Sequence, residues 1–370
     1  MPRRGHGPGI VGKVHIHADC CNYRNPMDAG LVMQMVLTML IFLVGVTLNG
    51  LVVWVLGFRR RLRSGSTGGE TQGAGSFRIY VVNLALADLI LILRIPVMLG
   101  YLANDYSWPF EVSVCQLIMV LRCLGLYAGA FLLSAIALER CLCILQPVWA
   151  RMRRPRWVVP LVCIFLWALA SALSVPYITA AGLKKVLNKT HCIDNVNNTG
   201  RTMLLVVESV AGFLLPLVIF ISCNLAIIIT AKRAESGSSA SSAPASTPSS
   251  PSGTIYTAQR LTRLYRILFL TMILFLTCWV PYFTCRFLKA LATRRPDLKN
   301  LQSGADRGIY VALYLVYLKS ALNPILYVFA ARGLSRTLRD SLLSTIARVF
   351  NEDVSESLRR KSLRRKDSQI

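Results

Sequence analysis

Seven stretches of this 370-residue chain are each long and apolar enough to cross a lipid bilayer as a helix: about 30–57, 79–102, 112–145, 157–178, 203–231, 262–291 and 307–329. A hydrocarbon core ~30 Å thick takes roughly 20 mostly apolar helical residues. Within it only helices and closed barrels satisfy their own backbone N–H and C=O groups, and these runs lack the alternation of barrel strands. The sequence therefore predicts an all-α fold: a seven-transmembrane helix bundle over 30–329, a tail at 1–29 before it and a segment at 330–370 after it. Hydrophobic residues make up 54% of the chain, too many for an ordinary soluble domain.

Charge orients the bundle. Arg59, Arg60, Arg61, Arg63 and Arg78 follow span 1, and Arg151, Arg153, Arg154 and Arg156 follow span 3. Lys232 and Arg233 follow span 5, Arg260, Arg263 and Arg266 stand at the start of span 6, and an Arg-rich segment ends the chain. Basic residues collect at cytoplasmic helix ends, so this face is expected inside and the N-terminus outside. The polar start, with Arg3, Arg4 and Lys13, does not read as a cleaved secretory signal. A formal net charge of +25 invites a nucleic-acid reading, but these charges flank apolar spans and do not line one soluble face.

Two sequons, at Asn188 and Asn197, fall in the loop after span 4, which the charge rule places outside. Cys115 opens span 3 and Cys192 lies in that same loop. Both are on the oxidising side, which makes a Cys115–Cys192 disulfide the best pairing. Cys20 and Cys21 have no evident partner. The other cysteines lie within spans, as buried thiols.

The loop at about 235–257 is rich in Ser, Pro and Ala and is expected to be disordered. Leu334, Leu338, Leu342, Leu343 and Ile346 recur at helical spacing with Arg336, Arg339 and Arg348 among them, an amphipathic helix for the inner leaflet. Ser362 and Ser368 stand behind basic runs as candidate phosphorylation sites. Added phosphate there would weaken attraction to membrane lipids and recruit arrestin. Ser368 also precedes a C-terminal Ile370 in a form that a PDZ domain accepts as an added strand.

Ionisable or amide residues inside spans are functional candidates because lipid makes them costly. Here they form a series: Asn49 in span 1; Asp88 in span 2; Glu139-Arg140-Cys141 ending span 3; Trp167 in span 4. Phe275, Trp279 and Pro281 follow in span 6, and Lys319, Asn323, Pro324 and Tyr327 in span 7. At these residues, across essentially all seven spans, the chain resembles the rhodopsin-like receptors coupled to G proteins. The resemblance implies a plasma-membrane receptor that is not an enzyme and needs no cofactor. In such a receptor Glu139–Arg140 acts as a latch, Pro281 and Pro324 loosen spans 6 and 7, and Trp279 reports pocket occupancy. Span 6 then swings outward to admit a heterotrimeric G protein.

Three departures qualify it. The position eight residues after Pro216, usually Tyr, is Asn224; the span 3 motif ends in Cys141; and Lys319, with Gly129, stands where the family holds a sodium ion against Asp88. The Lys319 ammonium is expected to replace that metal by pairing with Asp88. An opsin reading fails, since the retinal lysine precedes the proline by seven residues and Lys319 precedes Pro324 by five.

For the ligand, Arg94, Arg122 and Arg286 lie at similar depth in the outer half, with Lys289 one turn beyond Arg286. Three guanidinium groups predict a pocket for a carboxylate, which Arg grips bidentately. Snorkelling to the interface is the alternative for Arg94 and Arg286. Cys123, Leu126, Tyr127, Glu208, Trp279 and Tyr282 complete the candidate lining, Glu208 orienting an arginine or accepting a ligand hydroxyl. The run Ala137–Ala150 is similar to the chemoattractant branch of the family, which takes in formyl-peptide, prostaglandin D2 type-2, resolvin and leukotriene B4 receptors. Gly125–Ala128 and the segment from Glu208 to Pro216 are most similar to the leukotriene B4 receptors. That likeness implies an acidic lipid or peptide ligand, coupling to inhibitory G proteins and chemotaxis. Against it, the Tyr-Arg pair those receptors carry after span 4 is Ala180-Ala181 here.

Overall fold

A computed structural model describes residues 29–59, 72–146, 155, 157–194, 196–239, 252–294 and 299–330. Cys20, Cys21, the amphipathic segment, Ser362, Ser368, the C-terminal tripeptide, most of the Ser/Pro-rich loop and the side chain of Tyr327 lie outside what is described. Seven helices are long and apolar enough to cross a membrane: Ala29–Phe58, Gly75–Ala103, Val112–Cys143, Val158–Ala180, Thr199–Thr230, Phe269–Thr293 and Asn300–Ile325. They are spans 1 to 7 below, and they match the seven predicted runs.

Span 3 is the axis of the bundle, packed against spans 2, 4 and 5, while span 7 packs against spans 6, 1 and 2. In the most apolar stretch of span 3, 72% is buried within the protein, against 17% for span 1, which is left to face lipid. Spans 2 and 3 approach closely at Gly125. A Cβ there would sit 3.2 Å from the backbone nitrogen of Leu91 and 3.3 Å from the carbonyl oxygen of Ala87.

Span 1 ends in a π-helical segment, Val53–Arg59, without a proline, while other irregularities fall where prolines remove backbone donors. Span 2 breaks into Gln72–Ile92 and Ile95–Ala103, with Leu93 and Arg94 in a turn before Pro96. Span 5 carries a π-helical segment, Val210–Leu214, just before Pro216, where the N–H of Leu215 donates five residues back to Val210. Pro281 and Pro324 lie inside long helices, Ser252–Arg294 and Lys299–Ala330.

The segment after span 4 forms an antiparallel hairpin that the sequence did not suggest, β1 (Ala181–Val186) and β2 (Lys189–Asp194). Its two-residue turn has Leu187 and Asn188 at φ 46° and 64°, the left-handed geometry favoured in tight hairpins. The predicted Cys115–Cys192 disulfide fastens β2 to the start of span 3. The backbone N–H of Trp108 donates to Thr190 at 2.7 Å, which ties the hairpin to the turn after span 2 as well.

Candidate functional site

The outer half of the bundle is organised around one carboxylate. Glu208, on span 5 one helical step before the π segment, is fully buried. Arg122 of span 3 donates to it from Nη1 at 2.7 Å and from Nη2 at 3.4 Å. Arg286 of span 6 approaches its other oxygen at 3.0 Å. Tyr282 of span 6 and Tyr177 of span 4 donate their hydroxyls to the same carboxylate at 2.8 and 3.0 Å. Arg122 also donates to the Tyr282 hydroxyl and lies over the Tyr177 ring, 5.4 Å from its centroid. One anion thus joins four spans, and the cluster keeps a net charge of +1 in a medium that penalises unbalanced charge.

Arg122 is 5% exposed and the Arg286 side chain 16%, so neither snorkels to the interface. Arg94 is 4% exposed and turns inward too, because the break at Leu93–Arg94 redirects it towards span 7. There it donates to the Tyr317 hydroxyl at 2.9 Å. Arg94 therefore does not join the Glu208 cluster, and Lys289 is held apart by Asp306 at 2.6 Å, largely exposed. Cys123, Leu126 and Tyr127 line the span 3 side beside Arg122, all buried. Gly212, in the π segment, makes room for them, since a Cβ there would overlap Leu126.

An aromatic column runs from the cluster towards the proline of span 6. Tyr282 meets Trp279 edge-on at 5.6 Å, Trp279 meets Phe275 at 6.2 Å, and Phe275 stacks on Phe213 at 6.0 Å and leans on Phe220 at 5.5 Å. The Trp279 Nε1 and the Tyr127 hydroxyl are buried with no hydrogen-bond partner among the described residues. A change in how Tyr282 is held thus bears directly on the rings around Pro281.

Deeper, Asn323 donates to Asp88 at 2.7 Å, and Asn49 donates to the carbonyl oxygens of Gly45 and Ser320 at 3.0 and 3.1 Å. Ser320 precedes Pro324 by four residues, so its carbonyl has lost its helical donor and takes one from span 1 instead. The Lys319 ammonium acts electrostatically on the Asp88 carboxylate that Asn323 also holds. Lys319 lies one turn before Asn323 on the same face and is 4% exposed. At the opposite end Trp167 donates to Asn83 at 2.9 Å. Arg140 lies over the Phe77 ring, 3.9 Å from its centroid, and Glu139 is buried beside Cys143.

Two site residues escaped the sequence reading. Tyr177 is an aromatic in a Pro-containing turn, with nothing to mark it as a carboxylate partner; Tyr317, one turn before Ala321 on span 7, gives no signal beyond being a tyrosine in an apolar run. Asn188 occupies the exposed hairpin turn, and Asn197 caps the helix of span 5, accepting from Gly200 at 2.7 Å.

The sequence profile of the 7 transmembrane receptor (rhodopsin family) matches residues 48–327, from the last third of span 1 to the end of span 7. Among similar proteins, the C5a anaphylatoxin chemotactic receptor 1 of Oncorhynchus mykiss is 30% identical over 329 residues, 88% of this chain and 83% of its own. The prostaglandin D2 receptor 2 of Mus musculus is 29% identical, covering 88% and 79% of the two chains. The C3a anaphylatoxin chemotactic receptor of Danio rerio is 27% identical, covering 87% and 78%. These relatives bear out the resemblance to the chemoattractant branch. The chain is a membrane receptor of the kind that couples to G proteins and not an enzyme, and it belongs to the rhodopsin family of seven-transmembrane receptors.

Proposed function

We propose that the chain is a plasma-membrane receptor for an acidic lipid mediator, leukotriene B4-like in type, that couples to inhibitory G proteins and drives chemotaxis. The observation that carries this reading is the charge of the outer bundle: Arg94, Arg122 and Arg286 around Glu208, the one fully buried carboxylate among the described residues, with Asp194 acting on Arg286 from the hairpin. A surplus of guanidinium groups held out of water favours a ligand that brings negative charge. The N-terminus and the hairpin face outside, with glycans on Asn188 and Asn197, and Arg140 faces the G protein. Binding alters the hold on Tyr282, Trp279 follows, and span 6 moves at Pro281. Phosphorylation at Ser362 and Ser368 brings arrestin, and the C-terminal Ser368–Ile370 engages a PDZ domain.

A second reading, a peptide ligand, is favoured by similarity to receptors named for C3a and C5a. Prostaglandin D2 enters the test by the same argument. The test is inhibition of cyclic AMP in cells expressing the full chain, against a panel of leukotriene B4, prostaglandin D2, a resolvin, formylated peptides and basic peptides. An acid-dependent response, lost on methyl esterification of the active lipid, is the expected result. Activation only by cationic ligands would overturn the reading. Acid binding without any signal would make the chain a scavenger, for which Asn224 is the one unusual residue.

A further inference from the structure

The three buried guanidinium groups are not equivalent. Arg122 and Arg286 share Glu208, whereas among the described residues Arg94 has neutral contacts: the Tyr317 hydroxyl at 2.9 Å and the Tyr317 ring, whose centroid lies 5.9 Å from its guanidinium carbon. Its Nε has no hydrogen-bond partner among the described residues. Among the described residues no carboxylate lies within 4.0 Å of it, although Arg94 is 4% exposed. A phenol supplies one hydrogen bond and a weak ring attraction but no countercharge, and a guanidinium withdrawn from water is stabilised chiefly by an anion. Along span 2, Ile92 and Ile95 are fully buried apolar residues near Arg94, while Leu93 faces outward.

We propose that Arg94, with Tyr317, is the seat of the ligand's carboxylate, between spans 2 and 7, and that the class recognised is an alkyl-chain acid. This rests on the acidic-messenger reading and assigns its anchor. The Glu208 cluster, already closed by its own anion, then receives neutral polar groups further along the ligand, beside the unpartnered hydroxyl of Tyr127 and the indole Nε1 of Trp279. The ligand class so defined carries a carboxylate at one end and hydroxyl or carbonyl groups on the chain. Arg94 donates through its free Nε and a terminal nitrogen to the two carboxylate oxygens, the bidentate form that planar guanidinium favours.

The experiment uses purified full-length receptor in nanodiscs of zwitterionic lipid and reads the thermal midpoint with octanoate, octanol, and N-acetyl-leucyl-leucine as free acid or amide. Octanoate is expected to raise the midpoint of the native chain by several degrees where octanol does not. Arg94→Gln should lose that shift and Arg94→Lys keep part of it. Without ligand, Arg94→Gln should melt no lower than the native chain, since it removes an uncompensated buried charge. Equal shifts with octanoate and octanol, or an octanoate shift that persists in Arg94→Gln, overturn the assignment; should that variant not fold, the octanoate–octanol comparison on the native chain decides. A shift with the peptide acid and none with octanoate would also overturn it, giving the carboxylate to a peptide. Because this readout is binding, it is independent of the cyclic AMP panel: a panel without any acidic activator sinks the proposed function while the octanoate result still decides the subsite.

Discussion

Replacing Glu208 by Gln keeps the shape of the side chain and removes the only negative charge shared by Arg122 and Arg286. In the unliganded receptor this leaves buried Arg122 and mostly buried Arg286 around a fully buried amide that neutralises neither. Removing one partner of a buried ion pair costs about 3–5 kcal/mol. The upper part of that range applies here, because two cations lose their partner and the hydroxyls of Tyr177 and Tyr282 lose a charged acceptor. The same change should help an acidic ligand. It no longer enters a pocket containing a resident carboxylate, and about 1.4 kcal/mol of relieved repulsion already corresponds to tenfold in affinity. The expected outcome for Glu208→Gln is therefore a lower thermal midpoint without ligand and at least roughly tenfold higher affinity for an acidic activator. The affinity for its methyl ester should be unchanged. Competition binding on membranes, acid and ester in parallel, reads both. A loss of affinity for the acid and ester alike would refute the reasoning, since it would mean that Glu208 accepts a hydrogen bond from the ligand and does not oppose its charge.

Cys192→Ala should free the hairpin from span 3. For a cross-link spanning 77 residues the expected loss is about 4–5 kcal/mol, read as reduced surface expression and a lower thermal midpoint. Gly212→Val should force Leu126 and Tyr127 towards Arg122, costing about 1–3 kcal/mol of stability and weakening ligand binding; a neutral effect in both assays would mean the π segment gives way instead. Agonist affinity of the native receptor should be the same in sodium and in N-methylglucamine buffers, because Lys319 already supplies a cation near Asp88. Lys319→Ser should become sodium-sensitive, and sodium sensitivity of the native chain would disprove the substitution.

The spans and the disulfide were legible because each rests on a local property: length and apolarity in one case, chain position relative to the membrane in the other. The three outer arginines were also legible as buried cations. Their grouping was not. Glu208 meets Arg122 across 86 residues and Tyr282 across 74, separations that no local pattern announces, and the helix break that redirects Arg94 lies in span 2. Counting turns along regular helices put Arg94, Arg122 and Arg286 at one depth and said nothing about azimuth, which sent Arg94 to Tyr317. The hairpin was hidden for a related reason: its tight turn is Leu187-Asn188, without the glycine that usually announces such a bend. Lys319 is legible as a cation acting on Asp88, whereas the Asn323 amide that donates to the same carboxylate gives no such signal in the sequence.

Asn49 gives span 1 an importance out of proportion to its contacts. Its amide is stitched to the orphan carbonyl that Pro324 leaves on span 7, so any bending of span 7 at that point either carries span 1 along or strands a polar oxygen among hydrocarbon side chains. The outermost helix of the bundle thereby acts as a governor on the travel of its last one, and Asn49→Leu should leave ligand recognition intact while changing how readily the occupied receptor engages its G protein.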